Sequence, residues 1–119
     1  MAEVQQSFEN LGLNPKIVGE VHENLGFSSL TPIQSLTIPP ILRKENILAL
    51  APTGTGKTYA FLIPVVDRIL TKPDSPLQAL VLVPTPELAS QTVRVATNFI
   101  RKLDIKAAHI TDLMDLWIS

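Results

Sequence analysis

An apolar run, Ile47-Leu48-Ala49-Leu50, passes directly into Ala51-Pro52-Thr53-Gly54-Thr55-Gly56-Lys57-Thr58, and the residues from Lys57 to Leu70 carry helical spacing. A buried strand, a glycine-rich turn and a helix in that order are the context a phosphate loop requires, and they constrain the fold more than any other part of the chain. Gly54 and Gly56 let the backbone curl with its N–H groups inward. The result is an anion nest at a helix N-terminus, where the helix dipole adds to the attraction. Lys57 is placed to reach the β and γ phosphates of a nucleoside triphosphate, and the Thr58 hydroxyl to ligate the Mg²⁺ that bridges them. Ala51 stands where the strict pattern has glycine, a small departure because alanine is the next smallest residue. The bland reading is a Gly/Thr-rich turn with a solvated lysine. It leaves the coincidence of Gly-Lys-Thr, two glycines, a preceding strand and a following helix unexplained.

Ten prolines and five glycines divide the sequence into short elements. Asn14-Pro15 is a helix start: Asn accepts an orphan backbone N–H, proline suits the first helical position, and Leu13 can staple onto Val18. Ile17, Val18, Val21 and Leu25 share one face of this helix, His22 falls on its wetter side, and Gly26 is the stop. Thr31-Pro32 is a second start. The Pro39-Pro40 pair predicts an interruption there, giving two short helices rather than one. Pro64 predicts a kink in the helix after the phosphate loop. Lys72 to Pro76 reads as a surface loop, Gln78 to Val83 as a second buried strand, Glu87 to Leu103 as a long helix, and Ile105 to Ile110 as a weaker strand. Strand, helix, strand, helix, strand implies right-handed crossovers and a parallel sheet with helices on both faces.

The chain is 119 residues long, enough for one small core. A net charge of −1 gives no global field that would advertise a nucleic-acid or membrane partner. With no cysteine and only two distant histidines, His22 and His109, metal chemistry would use oxygen ligands. No stretch approaches the roughly 18 apolar residues of a membrane span, and the N-terminus has no basic segment leading into an apolar one. The expectation is a soluble intracellular protein, with nucleus and cytoplasm not distinguished.

Upstream of the phosphate loop lies Gly26-Phe27-Ser28-Ser29-Leu30-Thr31-Pro32-Ile33-Gln34, and downstream Pro84-Thr85-Pro86-Glu87-Leu88-Ala89. With the loop between them, these three motifs in order resemble the DEAD-box RNA helicase family. The similarity runs from Phe8 to about Thr111 and covers the first half of that family's N-terminal RecA-like domain. It implies an α/β fold, a partial RecA-like P-loop NTPase domain with a parallel sheet and flanking helices, truncated after about three strands. Residues 1–46 would be an N-terminal helical region bearing the glutamine motif, 47–111 the partial nucleotide-binding core, and 112–119 a divergent tail.

The resemblance implies ATP and Mg²⁺ as ligands, with Ala51, Thr53, Gly54, Thr55, Gly56, Lys57 and Thr58 at the phosphates and Thr58 at the metal. It implies Phe8, Phe27, Thr31 and Gln34 around adenine, with Gln34 reading the base and Phe8 stacking on it. A Gln amide can accept from the adenine N6 amino group and donate to N7, whereas guanine presents an acceptor where adenine presents the donor. ATP is therefore expected over GTP. From residue type alone, Gln34 reads instead as a solvated helix-surface residue, and Phe8 as a core contact beneath the first helix. Leu30 stands where the family usually has proline.

Pro84, Thr85 and Glu87 match the family's next motif, in which Thr85 would cap a helix whose amides meet an RNA phosphate. The family normally carries arginine where this chain has Pro86, which lacks both the guanidinium and a backbone donor. RNA contact is expected to be weakened by Pro86 and by truncation, and Thr85-Pro86-Glu87 serves equally as a plain helix start. Arg94, Arg101, Lys102 and Lys106 read as a solvated face. The sequence contains no Asp-Glu-Ala-Asp run and no Ser-Ala-Thr motif, the groups expected to orient water for hydrolysis. Asp112, Asp115 and Trp117 read as tail residues. Three functions follow: an ATP-binding fragment of a helicase whose family remodels RNA, a non-catalytic nucleotide- or partner-binding module, or an unstable truncated product whose apolar strand edge lies unpaired.

Overall fold

The structure, a computed structural model, describes residues 7–52, 56–71, 79–103 and 105. The backbone falls into two units, Met1–Ala79 and Leu80–Ser119. The expected loop from Lys72 to Pro76, most of the weak strand after Ile105 and the tail from Thr111 lie outside the described residues.

The first unit begins with a 3-10 turn, Phe8–Leu11, followed by α1, Pro15–Glu23. The start of α1 is as the sequence predicts: Asn14 accepts from Lys16 N at 2.9 Å and Pro15 takes the first helical position. Ile17 and Val21 are fully buried. A second hydrogen bond reaches the same helix end from far along the chain, Asn14 N donating to Asp67 Oδ1 at 2.7 Å. Gly26 turns the chain after α1 with φ +69°, a left-handed conformation that a side chain would strain.

Helix α2, Pro32–Leu42, is one helix and not two. Thr31 and Gln34 form a capping box at its start: Thr31 Oγ1 accepts from Gln34 N at 3.4 Å, and Gln34 Oε1 accepts from Thr31 N at 3.0 Å. The helix runs through Pro39 and Pro40, whose missing donors free the carbonyls of Ser35 and Leu36. Leu36 lies on the open side, 73 % exposed, where water can stand in for the absent N–H. Helix α3, Lys57–Thr71, continues through a buried Pro64 and packs extensively on α2. Ile38, Ile63 and Val66 belong to the core of this unit.

The second unit contains α4, Pro86–Ile100, capped by Thr85, whose hydroxyl accepts from Leu88 N at 3.1 Å. Ala96, Phe99 and Ile100 are its buried positions, and Leu103 in the turn after it is buried as well.

The expected parallel sheet is not formed among the described residues, which contain no strand. Residues 45–52 and 79–83 lack regular structure, and their leucines are far from buried: Leu48 is 95 % exposed, Leu50 93 % and Leu82 85 %. A strand is defined by its hydrogen-bonded neighbour, and these apolar runs have none among the described residues.

Candidate functional site

Gly56 sits immediately before α3 with φ +83°. Its carbonyl accepts twice, from Ala60 N at 3.1 Å in the first turn of the helix and from Gln34 Nε2 at 3.3 Å. Gln34 is therefore not a solvated surface residue. It is 1 % exposed, with one amide end on Thr31 and the other on the Gly56 carbonyl of the glycine loop. Burial of a primary amide is tolerated because both ends are hydrogen-bonded. A Cβ added at Gly56 would lie 2.8 Å from Gln34 Nε2 and 3.3 Å from Thr31 Oγ1 and Cγ2, so glycine is required there for space as well as for backbone angle.

Lys57 opens α3 with its side chain exposed, Thr58 beside it is half-buried, and Ala51 is half-buried at the other end of the loop. Thr53, Gly54 and Thr55 lie outside the described residues. The described part of the loop fits a triphosphate: a glycine in a left-handed turn, a helix N-terminus behind it, an exposed ammonium and an adjacent hydroxyl.

The residues expected around adenine all belong to the same unit as the loop. Gln34 meets it directly, and Thr31 stands beside Gly56 where a Cβ would project. Phe27, half-buried, places its ring edge-on to Tyr59 of α3, with centroids 5.2 Å apart and planes at 83°. Burial raises the Tyr59 hydroxyl above its ordinary pKa. Phe8 takes the core position: it is fully buried beneath α1, its ring 6.1 Å from that of His22 at 85°. The ring has no face open to solvent. Pro84, Thr85 and Glu87 are exposed at the start of α4 in the second unit.

Sequence reasoning did not single out four contacts that frame the site. His22 is not simply on a wet face. Its Nδ1 lies 2.7 Å from the Phe27 carbonyl and its Nε2 2.5 Å from Glu9 Oε1. Glu9 is held below its ordinary pKa, first by a hydrogen bond from its own backbone and then by the His22 ring. Tyr59 and Asp67 have no local motif; only the aromatic directly after Gly56-Lys57-Thr58 could have hinted at the first. A separate cavity of about 410 Å³ lies between α2 and α3, lined in part by Ile41, Lys44, Pro64 and Arg68. None of its lining residues was expected at the nucleotide.

Residues 31–115 match the family model described as DEAD/DEAH box helicase. The chain belongs to the DEAD/DEAH box helicase family. Among its relatives, the "Probable ATP-dependent RNA helicase MG425 homolog" of Mycoplasma pneumoniae is 35% identical over 115 residues, which is 96% of this chain and 25% of that protein. The "ATP-dependent rRNA helicase rrp-3" of Neurospora crassa is 39% identical over 113 residues, covering 95% of this chain and 22% of the relative. The chain thus spans about a quarter of the length of these DEAD-box proteins. Solved RecA-like domains agree. The RNA-helicase Prp28 from Chaetomium thermophilum bound to ADP superposes with a TM-score of 0.81 at 30% identity, covering 99% of this chain and 30% of that one. A S. cerevisiae Dbp5 variant bound to RNA and ADP BeF3 gives 0.75 at 33% identity, covering 83% of this chain and 25% of the other. No helix among the described residues is long and apolar enough to cross a membrane.

Proposed function

We propose that this chain is the ATP-binding portion of a DEAD-box RNA helicase, gripping the triphosphate with Ala51 to Thr58 and reading adenine with Gln34. The observation that carries the reading is the Gln34 amide on the Gly56 carbonyl, which puts the base-reading residue against the phosphate loop. Each end of that amide keeps one unused valence: a second lone pair on Oε1 and a second hydrogen on Nε2. Those two suit the N6 and N7 edge of adenine, and at 1 % exposure Gln34 meets it only when its covering side chains shift. Phe27 and Thr31 border the base, Lys57 holds the β and γ phosphates, and Thr58 holds Mg²⁺, which when bound neutralises charge on the phosphates. The parallel RecA-like sheet, with residues 47–50 and 78–83 as strands and a divergent segment at 112–119, belongs to the same proposal, as does family-level RNA remodelling. RNA would meet Pro84, Thr85 and Glu87.

The test is a titration of the purified chain with a fluorescent ATP analogue in Mg²⁺, with unlabelled ATP and GTP as competitors and phosphate release followed in parallel. Saturable binding that ATP displaces better than GTP supports the reading. Equal displacement by both removes the role of Gln34, and absence of saturable binding removes the nucleotide site.

A second reading is favoured by the exposure of Leu48, Leu50, Leu80 and Leu82, apolar side chains that stable sheets cover. In it the chain is a partner-dependent module. A cooperative thermal transition in a monodisperse monomer contradicts that reading, and concentration-dependent light scattering supports it.

A further inference from the structure

We infer that His22 is a positioning residue for the nucleotide base: it ties the 3-10 turn at Phe8–Leu11 to the backbone of Phe27 and so fixes the aromatic ring that borders the base. The inference rests on the ATP reading above and names a further residue of that site.

Helix α1 delivers His22 near its C-terminal end, where both ring nitrogens face oxygens. The Phe27 carbonyl can only accept, so Nδ1 donates to it at 2.7 Å, and Nε2 lies 2.5 Å from Glu9 Oε1. The ring also stands edge-on to the buried Phe8, which anchors the 3-10 turn beneath it. Phe27 is thereby held at both ends of its backbone unit, its N–H donating to the Val21 carbonyl at 3.0 Å and its own carbonyl receiving His22. Its ring meets Tyr59, the residue directly after Lys57 and Thr58.

Removing the His22 contact leaves Phe27 with one backbone bond and one edge contact, in a connection that already turns on Gly26. The aromatic would then have to be ordered when the base arrives, which weakens binding of the base. The Gly56 carbonyl of the phosphate loop keeps its own bond to Gln34 when this linkage is removed. The consequence is selective: His22 matters for a ligand with a base and not for a bare polyphosphate.

The experiment measures affinities of the full chain for ATP and for inorganic tripolyphosphate, each with Mg²⁺, in wild type, His22→Ala, His22→Gln and His22→Asn. An Asn amide nitrogen reproduces the Nδ1 position and keeps the bond to Phe27, whereas a Gln amide nitrogen reproduces Nε2 and keeps only the bond to Glu9. ATP affinity should fall about tenfold in His22→Ala and His22→Gln and stay within about twofold of wild type in His22→Asn, a difference of the size one hydrogen bond supports. Tripolyphosphate affinity should be unchanged throughout. Unaltered ATP binding in His22→Ala overturns the inference, as does equal loss of both ligands or failure of His22→Asn to recover ATP binding. A wild-type chain that binds neither ligand overturns the ATP reading itself and the inference with it; one that binds both equally leaves the phosphate site standing and overturns the base site and the inference.

Discussion

Gln34 Nε2 donates to the Gly56 carbonyl at 3.3 Å, closing a link between residues 22 positions apart. The same carbonyl accepts from Ala60 N, so one oxygen joins the capping box of α2 to the first turn of α3. Gly56→Ala tests this junction. The new Cβ would meet Gln34 Nε2 at 2.8 Å in a backbone with φ +83°, and Gln34 cannot swing aside without giving up its bonds to Thr31 and Gly56. We expect a loss of about 1–3 kcal/mol in urea unfolding together with loss of ATP binding. A variant with wild-type stability and affinity would show that the left-handed turn is not needed.

Lys57→Ala separates binding from folding. The side chain is exposed at the start of α3, so unfolding free energy should move by less than about 0.5 kcal/mol while triphosphate affinity is lost. Gln34→Ala should do both kinds of damage, eroding the preference for ATP over GTP and leaving the Gly56 carbonyl with one partner fewer. Competition titrations and urea curves on the two variants read these effects separately.

Asp67→Ala should destabilise the first unit by about 1–2 kcal/mol, because the Asn14 N–H loses its carboxylate partner at a partly buried position. Asp67→Asn retains an acceptor oxygen and should recover roughly half of that loss. The urea midpoints of the two variants against wild type decide it, and midpoints equal to that of wild type would mean the contact adds nothing.

Glu9 gives a pH signature. Its folded pKa lies below the ordinary 4.5, so the stability it contributes is present above that value and is lost as pH falls through the lowered folded one. Thermal midpoints of wild type should exceed those of Glu9→Gln near neutral pH, and the two should converge in acid. Curves that stay parallel would show that the carboxylate charge is not involved.

Pro86→Arg should strengthen RNA binding at the start of α4. The arginine adds one phosphate contact, so the slope of log affinity against log salt for a single-stranded RNA should steepen by about 0.7. Thr85 still accepts from Leu88 N, so α4 should remain capped. No change in slope would remove RNA from this surface.

The helix starts were legible in the sequence because they are local: Asn14-Pro15, Thr31-Pro32 and Thr85-Pro86 each carry the cap and the first-turn proline in adjacent positions. The continuous α2 was not legible. The proline rule counts a lost donor but not whether the freed carbonyl can face water, as it can beside Leu36. The glycine loop and its lysine could be read from residue type and order, whereas the burial of Gln34 depends on Thr31 and Gly56 together and has no signature of its own. His22 and Asp67 act on partners distant in sequence, Glu9 and Asn14, which periodicity does not detect. The apolar runs at 47–50 and 79–83 were recognisable as strand-like pattern, yet pairing is a property of two segments and not of one.

The bond from Asn14 to Asp67 spans 53 positions of sequence. A ribosome makes α1 long before it makes α3, and each residue of the interval adds to the loop that must close before the contact forms. Helix α1 therefore leaves the exit tunnel without the Asp67 partner of its N-terminal end. Its final anchoring waits until α3 has been synthesised as far as Asp67, so the N-terminal end of α1 is fixed late on the growing chain.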